Sequence, residues 1–277
     1  MPDTLKSLLT DDRILLVGGG KMGMALLQGW LAAGVSPKQL AVQEPSPSKA
    51  LTDTKVALNP AADFAPTLTI LAVKPQLASA VLPALALPKG SLAISLMAGL
   101  PSAAISRLIG DKVACIRTMP NTPAAVGKGM TALFADENVS AEGRAKAEAL
   151  LGAVGETVWL DSEKMMDAVT AISGSGPAYL FHMVEALASS GVALGMSEAM
   201  ADQLARQTII GAARMLDTPQ AEAAELRRNV TSPGGTTEAA LDELMAAGGL
   251  SDLMRRATQS AANRARELAQ LVTQDDD

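Results

Sequence analysis

Ile14-Leu15-Leu16-Val17-Gly18-Gly19-Gly20-Lys21-Met22-Gly23 is the stretch that decides the fold. Four apolar residues end in a glycine cluster, and an apolar helical pattern runs on from Met22 to Ala33. A short continuous apolar run bounded by glycine reads as a strand buried on both faces. Gly18, Gly20 and Gly23 fit G-x-G-x-x-G, with a strand before the glycines and a helix after them. That context is what a dinucleotide-binding turn requires. Gly18 permits the tight turn, Gly20 lets backbone approach a pyrophosphate, and Gly23 lets helix and strand pack closely. The start of the helix, from Lys21 and Met22, offers free N–H groups to an anion.

Similar apolar runs follow at Leu40 to Val42, Leu68 to Val73, Leu92 to Leu96, Val113 to Ile116, Met130 to Phe134 and Thr157 to Leu160. Helical patterns lie between them at Gln76 to Leu87, Pro101 to Ile109 and Ala141 to Leu151. This alternation predicts an α/β Rossmann-like domain over 1–161 with a largely parallel sheet. Met1 to Asp12 carries no strong pattern. From Ser162 onward no strand is predicted, so 162–277 reads as an all-α domain. Its helices are expected from Ser175 to Ala193, Ser197 to Leu216, Glu222 to Asn229, Gly235 to Ala247 and Leu250 to Val272, with a frayed acidic tail at Asp275 to Asp277. The helix after Pro177 is apolar almost all round, through Tyr179, Leu180, Phe181, Met183, Val184, Leu187 and Val192. A helix without a polar face is covered on several sides, which predicts a homodimer through this domain.

Composition excludes several chemistries. The 277 residues contain one histidine, His182, and one cysteine, Cys115. An intrachain disulfide, a zinc finger and a Cys-His dyad with a second histidine are excluded, and no metal site is expected. His182 lies among apolar helix residues and reads as a packed or interface side chain, and Cys115 as a buried thiol. A net charge of −6 without a basic run gives no grip for nucleic acid. No secretory signal opens the chain and no apolar stretch reaches membrane-spanning length, so a cytoplasmic protein is expected. Aromatics are scarce, at three Phe, two Trp and one Tyr, so the cores must be built from aliphatic residues and fourteen Met.

Further candidate site residues cluster after strands. Glu44 stands where an acidic group bonds an NAD ribose, whereas Ser46, Ser48 and Lys49 suit a 2′-phosphate. The segment therefore does not choose between the two nucleotides, and it reads equally as an ordinary capped helix start. Lys74, in Val73-Lys74-Pro75-Gln76, is either a cofactor contact at a strand end or a surface lysine before a helix. Arg117-Thr118-Met119-Pro120-Asn121-Thr122-Pro123 is a stiff loop that serves as a pocket wall or as a rigid connector. In the helical half, Val230-Thr231-Ser232-Pro233-Gly234-Gly235-Thr236-Thr237 combines glycine N–H groups, three hydroxyls and a helix start. Such a loop suits a carboxylate or phosphate better than a plain cap does. Ser173-Gly174-Ser175-Gly176-Pro177-Ala178-Tyr179 has the same character, and its glycines serve close helix packing equally well.

The Gly18 to Gly23 turn, Ala72 to Pro75, Met119 to Pro123, Gly174 to Tyr179 and Val230 to Thr237 together resemble the pyrroline-5-carboxylate reductase family, in its order and over nearly the whole chain. The resemblance implies reduction of 1-pyrroline-5-carboxylate to L-proline, the last step of proline synthesis, with NADPH usually preferred over NADH. It implies a helical dimerisation domain whose helices swap, so that a site draws on both subunits, and in some members a larger ring of dimers. It places cofactor contacts at Gly18, Gly20, Lys21, Met22, Gly23, Ser46, Asn59, Ala72, Val73, Lys74, Pro75, Ala98 and Asn229. It places the substrate at Ser175, Ser232, Gly234, Gly235 and Thr236, with the Thr237 hydroxyl beside the substrate nitrogen as the catalytic group. Two departures stand out. Many members carry proline where this chain reads Ala221-Glu222-Ala223-Ala224-Glu225, and Glu44 is untypical of a strict NADPH enzyme. Two other readings share parts of this pattern. A β-hydroxyacid-type dehydrogenase needs a lysine in the helical half, but none follows Lys164. A non-catalytic nucleotide sensor needs the first turn but not the Ser232 to Thr237 loop.

Overall fold

The computed structural model describes residues 2–61, 63–110, 112–218 and 222–274. The acidic tail at 275–277 and Ala221 lie outside them. The chain forms two compact units, one of 1–175 with 261–277 and one of 176–260.

In the first unit the elements run α1 (Pro2–Leu8), β1 (Ile14–Val17), α2 (Lys21–Ala32), β2 (Leu40–Gln43), α3 (Lys49–Thr52), β3 (Ala57–Leu58), β4 (Leu68–Leu71) and α4 (Ala78–Val81). They continue as β5 (Leu92–Ser95), α5 (Ser102–Ile109), β6 (Ala114–Met119), β7 (Gly129–Ala135), α6 (Ala141–Gly152), β8 (Gly155–Trp159) and α7 (Met166–Val169). The strands make one eight-stranded sheet in the order β3-β2-β1-β4-β5-β6-β7-β8. Every neighbouring pair is parallel except β6 and β7. Six strands therefore send their carboxyl ends to one edge, where ligands collect in open α/β sheets.

Side chains alternate across the sheet and build a core on each face. Ile14, Leu16, Leu40, Val42, Leu68 and Ile70 pack with Leu26, Leu27 and Trp30 of α2 and with Ala147, Leu150 and Leu151 of α6. Leu15, Val17, Ala41, Leu71 and Ala93 pack on the other face with Ala78, Ala104 and Ile105. The indole N–H of buried Trp30 donates to the Leu150 carbonyl at 2.8 Å and joins α2 to α6.

The predicted helix over Gln76 to Leu87 is broken. A 3₁₀ turn (Pro75–Leu77), α4 and a second 3₁₀ turn (Leu82–Leu85) replace it. Pro83 removes one N–H and clashes with the preceding turn. The pattern-poor opening is the helix α1, held by buried Leu5 and Leu9. Two-residue β3 had no separate expectation, and α3 is a short helix capped by Ser48. The run predicted at Thr157 to Leu160 is β8, an edge strand with alternating exposure rather than a strand buried on both faces.

Residues 162–175 group with the sheet, although the last predicted strand ends before them. The Glu163 carboxylate explains why. It accepts the Ser102 N–H at 2.8 Å, the Ser102 hydroxyl at 2.8 Å and Arg117 Nη1 at 2.9 Å. Arg117 is buried within β6.

In the second unit, α8 (Gly176–Ala193) and α9 (Glu198–Leu216) form a hairpin. Gly195 turns the chain at φ +97°, and the Met196 N–H donates back to the Gly191 carbonyl, as at a glycine-ended helix. Ser197 caps α9 through the Met200 N–H. Then come α10 (Ala223–Asn229), α11 (Thr236–Met245) and α12 (Leu250–Gln274), whose last part, with buried Ala265, belongs to the first unit. Leu180, Phe181 and Leu187 of α8 are exposed in the single chain, Phe181 by 65%. Among the described residues, no helix is long and apolar enough to cross a membrane.

Burial pushes the Glu163 carboxyl up, but the Ser102 N–H, the Arg117 guanidinium and the Ser102 hydroxyl together hold it below its ordinary value. A carboxyl that titrates lower in the folded chain stabilises it above the unfolded value, near 4.3. That contribution is lost as pH falls through the native value. Glu163→Gln is expected to cost about 2 kcal/mol at pH 7 and to flatten the loss of stability on acidification. Urea unfolding from pH 7 to pH 3 checks this, and an unchanged pH profile would refute it.

Candidate active site

The phosphate turn is shaped by contacts that admit no side chain. Gly18 has φ +103°, and a Cβ there would meet the Ala72 carbonyl oxygen at 2.7 Å. A Cβ on Gly23 would lie 2.2 Å from the Gly18 carbonyl oxygen. The outer side of Gly20 is open, with nothing within 4 Å of a Cβ built on it. Gly20 is also the N-cap of α2 and brings no side-chain acceptor. The N–H groups of the first turn, at Lys21, Met22 and Gly23, have no intrahelical partner and carry the positive end of the helix. A cradle closed by backbone on one side and open on the other fits a dinucleotide pyrophosphate.

Glu44 follows β2 and turns inward onto this cradle. Its Oε2 accepts the Gly19 N–H at 2.8 Å, and its Oε1 accepts the Ser46 N–H at 3.1 Å. Asn59 braces the same segment, since its Oδ1 accepts the Glu44 N–H at 2.9 Å and its Nδ2 donates to the Glu44 carbonyl at 3.0 Å. The positive φ of +46° at Asn59 brings the carboxamide into position, in a region that asparagine tolerates. The nearby hydroxyls differ in what they do. Ser48 caps α3 through the Leu51 N–H, Lys49 pairs with Asp53 at 2.8 Å, and exposed Ser46 projects from the loop.

Ala72 to Pro75 continue β4 past this edge, with exposed Lys74 at the N-cap position of a 3₁₀ turn and making no capping bond. Exposed Ala98 follows β5, where Gly99 has φ +76°. The fold thus gathers the Gly18 to Gly23 turn, Ser46, Asn59, Ala72 to Pro75 and Ala98 at the carboxyl edge of the sheet. Arg117 and Thr118, predicted as pocket wall or connector, face the interior instead. Arg117 holds Glu163, and the Thr118 hydroxyl donates to the Ser95 carbonyl at 2.9 Å. Glu163 carried no expectation, and nothing local in its sequence signals its role.

In the second unit, α10 ends at exposed Asn229 and the loop to α11 begins. The Thr231 N–H donates to the Arg228 carbonyl at 3.0 Å, and the Gly235 N–H to the Ser232 carbonyl at 3.0 Å. Gly234 sits at φ +69°, and its N–H donates to Glu238 Oε2 at 2.7 Å. Gly235 caps α11 without a side-chain acceptor, so the first-turn N–H groups of Thr236, Thr237 and Glu238 have no intrahelical partner. The Ser232 and Thr236 side chains are exposed, and Thr237 is half-buried. Half-buried Ser175 ends a π-helical turn (Thr170–Gly174), its N–H donating to the Thr170 carbonyl at 2.8 Å.

The two rare side chains stand outside this set. Cys115 is buried in β6, and burial, with Asp136 and Glu163 nearby, pushes its thiol up to about 12. His182 is exposed on α8, with Nδ1 3.0 Å from Glu185.

Comparison with known proteins agrees with both halves. A family described as pyrroline-5-carboxylate reductase dimerisation matches residues 163–268, and one described as NADP oxidoreductase, coenzyme F420-dependent, matches 13–99. A pyrroline-5-carboxylate reductase of Pseudomonas aeruginosa is 39% identical, covering 96% of this chain and 100% of that one. The structure of a pyrroline-5-carboxylate reductase from Coxiella burnetii is 36% identical at a TM-score of 0.85, covering 93% of this chain and 98% of that one. A Plasmodium falciparum pyrroline carboxylate reductase with NADP bound is 28% identical at a TM-score of 0.80, covering 94% and 98%. The helical half therefore carries a dimerisation domain, and the chain belongs to the pyrroline-5-carboxylate reductase family.

Proposed function

We propose that this protein reduces 1-pyrroline-5-carboxylate to L-proline with NADPH. The observation that carries this reading is the Ser232 to Thr237 loop. It offers hydroxyls and uncapped helix N–H groups on one turn, beyond what a structural cap needs.

The cofactor is held by the Gly18 to Gly23 turn, with Ser46, Asn59, Ala72 to Pro75, Ala98 and Asn229 as further contacts. When bound, its nicotinamide supplies the hydride that the imine carbon receives. The residues of the loop do the rest by positioning. The N–H groups at the start of α11 and the hydroxyls of Ser232 and Thr236 take the substrate carboxylate, at the positive end of a helix. Ser175 bounds the substrate from its π turn. The Thr237 hydroxyl faces the imine nitrogen and accepts a hydrogen bond from it once protonated. A protonated imine is a strong electrophile, so the hydrogen bond favours the form that reacts. Orientation of this kind contributes up to about 7–11 kcal/mol in favourable cases.

Mixing the protein with NADPH and pyrroline-5-carboxylate and following nicotinamide absorbance tests the reading. Absence of oxidation would leave only a nucleotide-binding role. Thr237→Ala is expected to lower kcat well over tenfold while NADPH still binds with unchanged Kd. A variant that turns over normally would remove Thr237 from the mechanism.

Glu44 places a carboxylate beside the nucleotide turn, where it opposes a 2′-phosphate. Glu44→Gln keeps the acceptor for the Gly19 N–H, gives up the weaker one for the Ser46 N–H and removes the charge. The ratio of kcat/KM for NADPH over NADH is expected to rise several-fold, as removal of one charge in a partly solvated site allows. An unchanged ratio would assign selectivity elsewhere.

A further inference from the structure

We infer that Asn121 is a positioning residue for the reaction: it clamps the π turn at 170–174 to the sheet and so sets the place of Ser175. This rests on the reading of Ser175 as a substrate contact. Asn121 occupies the N-cap position of a 3₁₀ turn (Thr122–Val126), yet its side chain makes no capping bond. An asparagine at such a position ordinarily accepts from the turn it precedes. Here the carboxamide, on a residue only 9% exposed, is spent on two other elements. Its Oδ1 accepts the Met130 N–H at 2.8 Å, and its Nδ2 donates to the Ser173 carbonyl at 3.0 Å. One partner is a pure donor and the other a pure acceptor, so the amide has a single orientation.

Both backbone groups need this side chain. The β6–β7 ladder ends where Met119 pairs with Ala132, so the Met130 N–H lies beyond it. The Ser173 carbonyl in an α-helix would accept from residue 177, but that residue is Pro177 and has no N–H. A buried carbonyl without a donor is costly. Asn121 answers both, across 52 residues of sequence. The π turn it holds also lies against Met119, whose Sδ is 3.8 Å from a Cβ built on Gly174. Ser175 follows at once, with its N–H fixed to Thr170. π turns recur at functional sites because they re-aim the residues that follow.

The test measures kcat, KM for pyrroline-5-carboxylate, Kd for NADPH and melting temperature on the full chain. Asn121→Ala is expected to lower kcat about tenfold or more and to lower the melting temperature, with Kd for NADPH within twofold. Adding Pro177→Ala supplies a main-chain N–H to the Ser173 carbonyl. The double variant is expected to regain melting temperature but not kcat, because the bond to the sheet is still missing. Recovery of kcat together with melting temperature would reduce Asn121 to a structural role, and kcat within twofold in Asn121→Ala would remove the clamp altogether. Should Asn121→Ala not fold, Asn121→Asp keeps the acceptor for Met130 and replaces the donor by a carboxylate oxygen that cannot hold the Ser173 carbonyl, and the same loss of kcat at constant Kd is expected. Ser175→Ala is measured beside these. If it behaves normally while the Asn121 variants lose kcat, the reading of Ser175 fails and the clamp stands. If it is impaired while they are normal, the clamp fails.

Discussion

The first unit depends on a backbone contact that only glycine allows. The carbonyl of Gly18 points where the Cβ of residue 23 would stand, at 2.2 Å, and residue 18 itself has backbone 2.7 Å from where its own Cβ would be. With both side chains absent, α2 starts directly off the end of β1 and beside the end of β4. That start fixes the line of α2 along the sheet, and with it the burial of Leu26, Leu27 and Trp30. It also leaves the Gly19 N–H facing Glu44 and the first N–H groups of α2 facing outward. Packing and anion binding are therefore two results of one close approach.

Around that turn, polar side chains act on backbone more than on one another. Glu44 takes two N–H groups, Asn59 takes both backbone groups of Glu44, and Asn121 takes one N–H and one carbonyl. The reason lies in the sheet. Where parallel strands end, ladder bonds stop and backbone groups are left without partners. An unmade bond at a buried group costs more than a made one contributes, so the strand ends select side chains that carry donor and acceptor together. The same edge binds ligand, and its rigidity comes from these braces.

Much of this was legible in the sequence. Buried strands are short apolar runs, and seven of the eight were placed by that pattern alone, from Ile14 to Val17 onward to Thr157 to Leu160, although the last is an edge strand with alternating exposure. The helices Ala141 to Leu151 and Ser197 to Leu216 followed from their patterns, and Ser140 and Ser197 cap them in the structure. Some misses had a signal in plain view. Pro83 inside Gln76 to Leu87 argued for a break, and Leu5 and Leu9, four apart, marked an apolar side of the opening segment. The direction of β7 was implied too, because the connection from Pro120 to Lys128 is short for a parallel crossover. Other features had no local signal. Arg117 meets Glu163 across 46 residues and Asn121 meets Ser173 across 52, and no spacing rule reaches that far. The Gly18 turn is written in one short segment, whereas its braces are written in pairs that only the fold brings together.

The scarcity of histidine and cysteine then follows from the chemistry proposed. A reaction whose substrate nitrogen takes up its own proton needs a hydrogen bond on that nitrogen, not an imidazole to deliver charge. Thr237 is half-buried at an uncapped helix start, and its neutral hydroxyl suits a site that must hold a carboxylate and a protonated imine close together. A cationic side chain there would compete for the carboxylate and oppose the iminium. The single histidine and the single cysteine have no part in that proposal. The Cys115 thiol is buried in β6 and held protonated, and His182 stands exposed on α8 against Glu185. On that proposal the catalytic demand is geometric, and the side chains that hold backbone in place are amides and carboxylates such as Asn59, Asn121, Glu44 and Glu163.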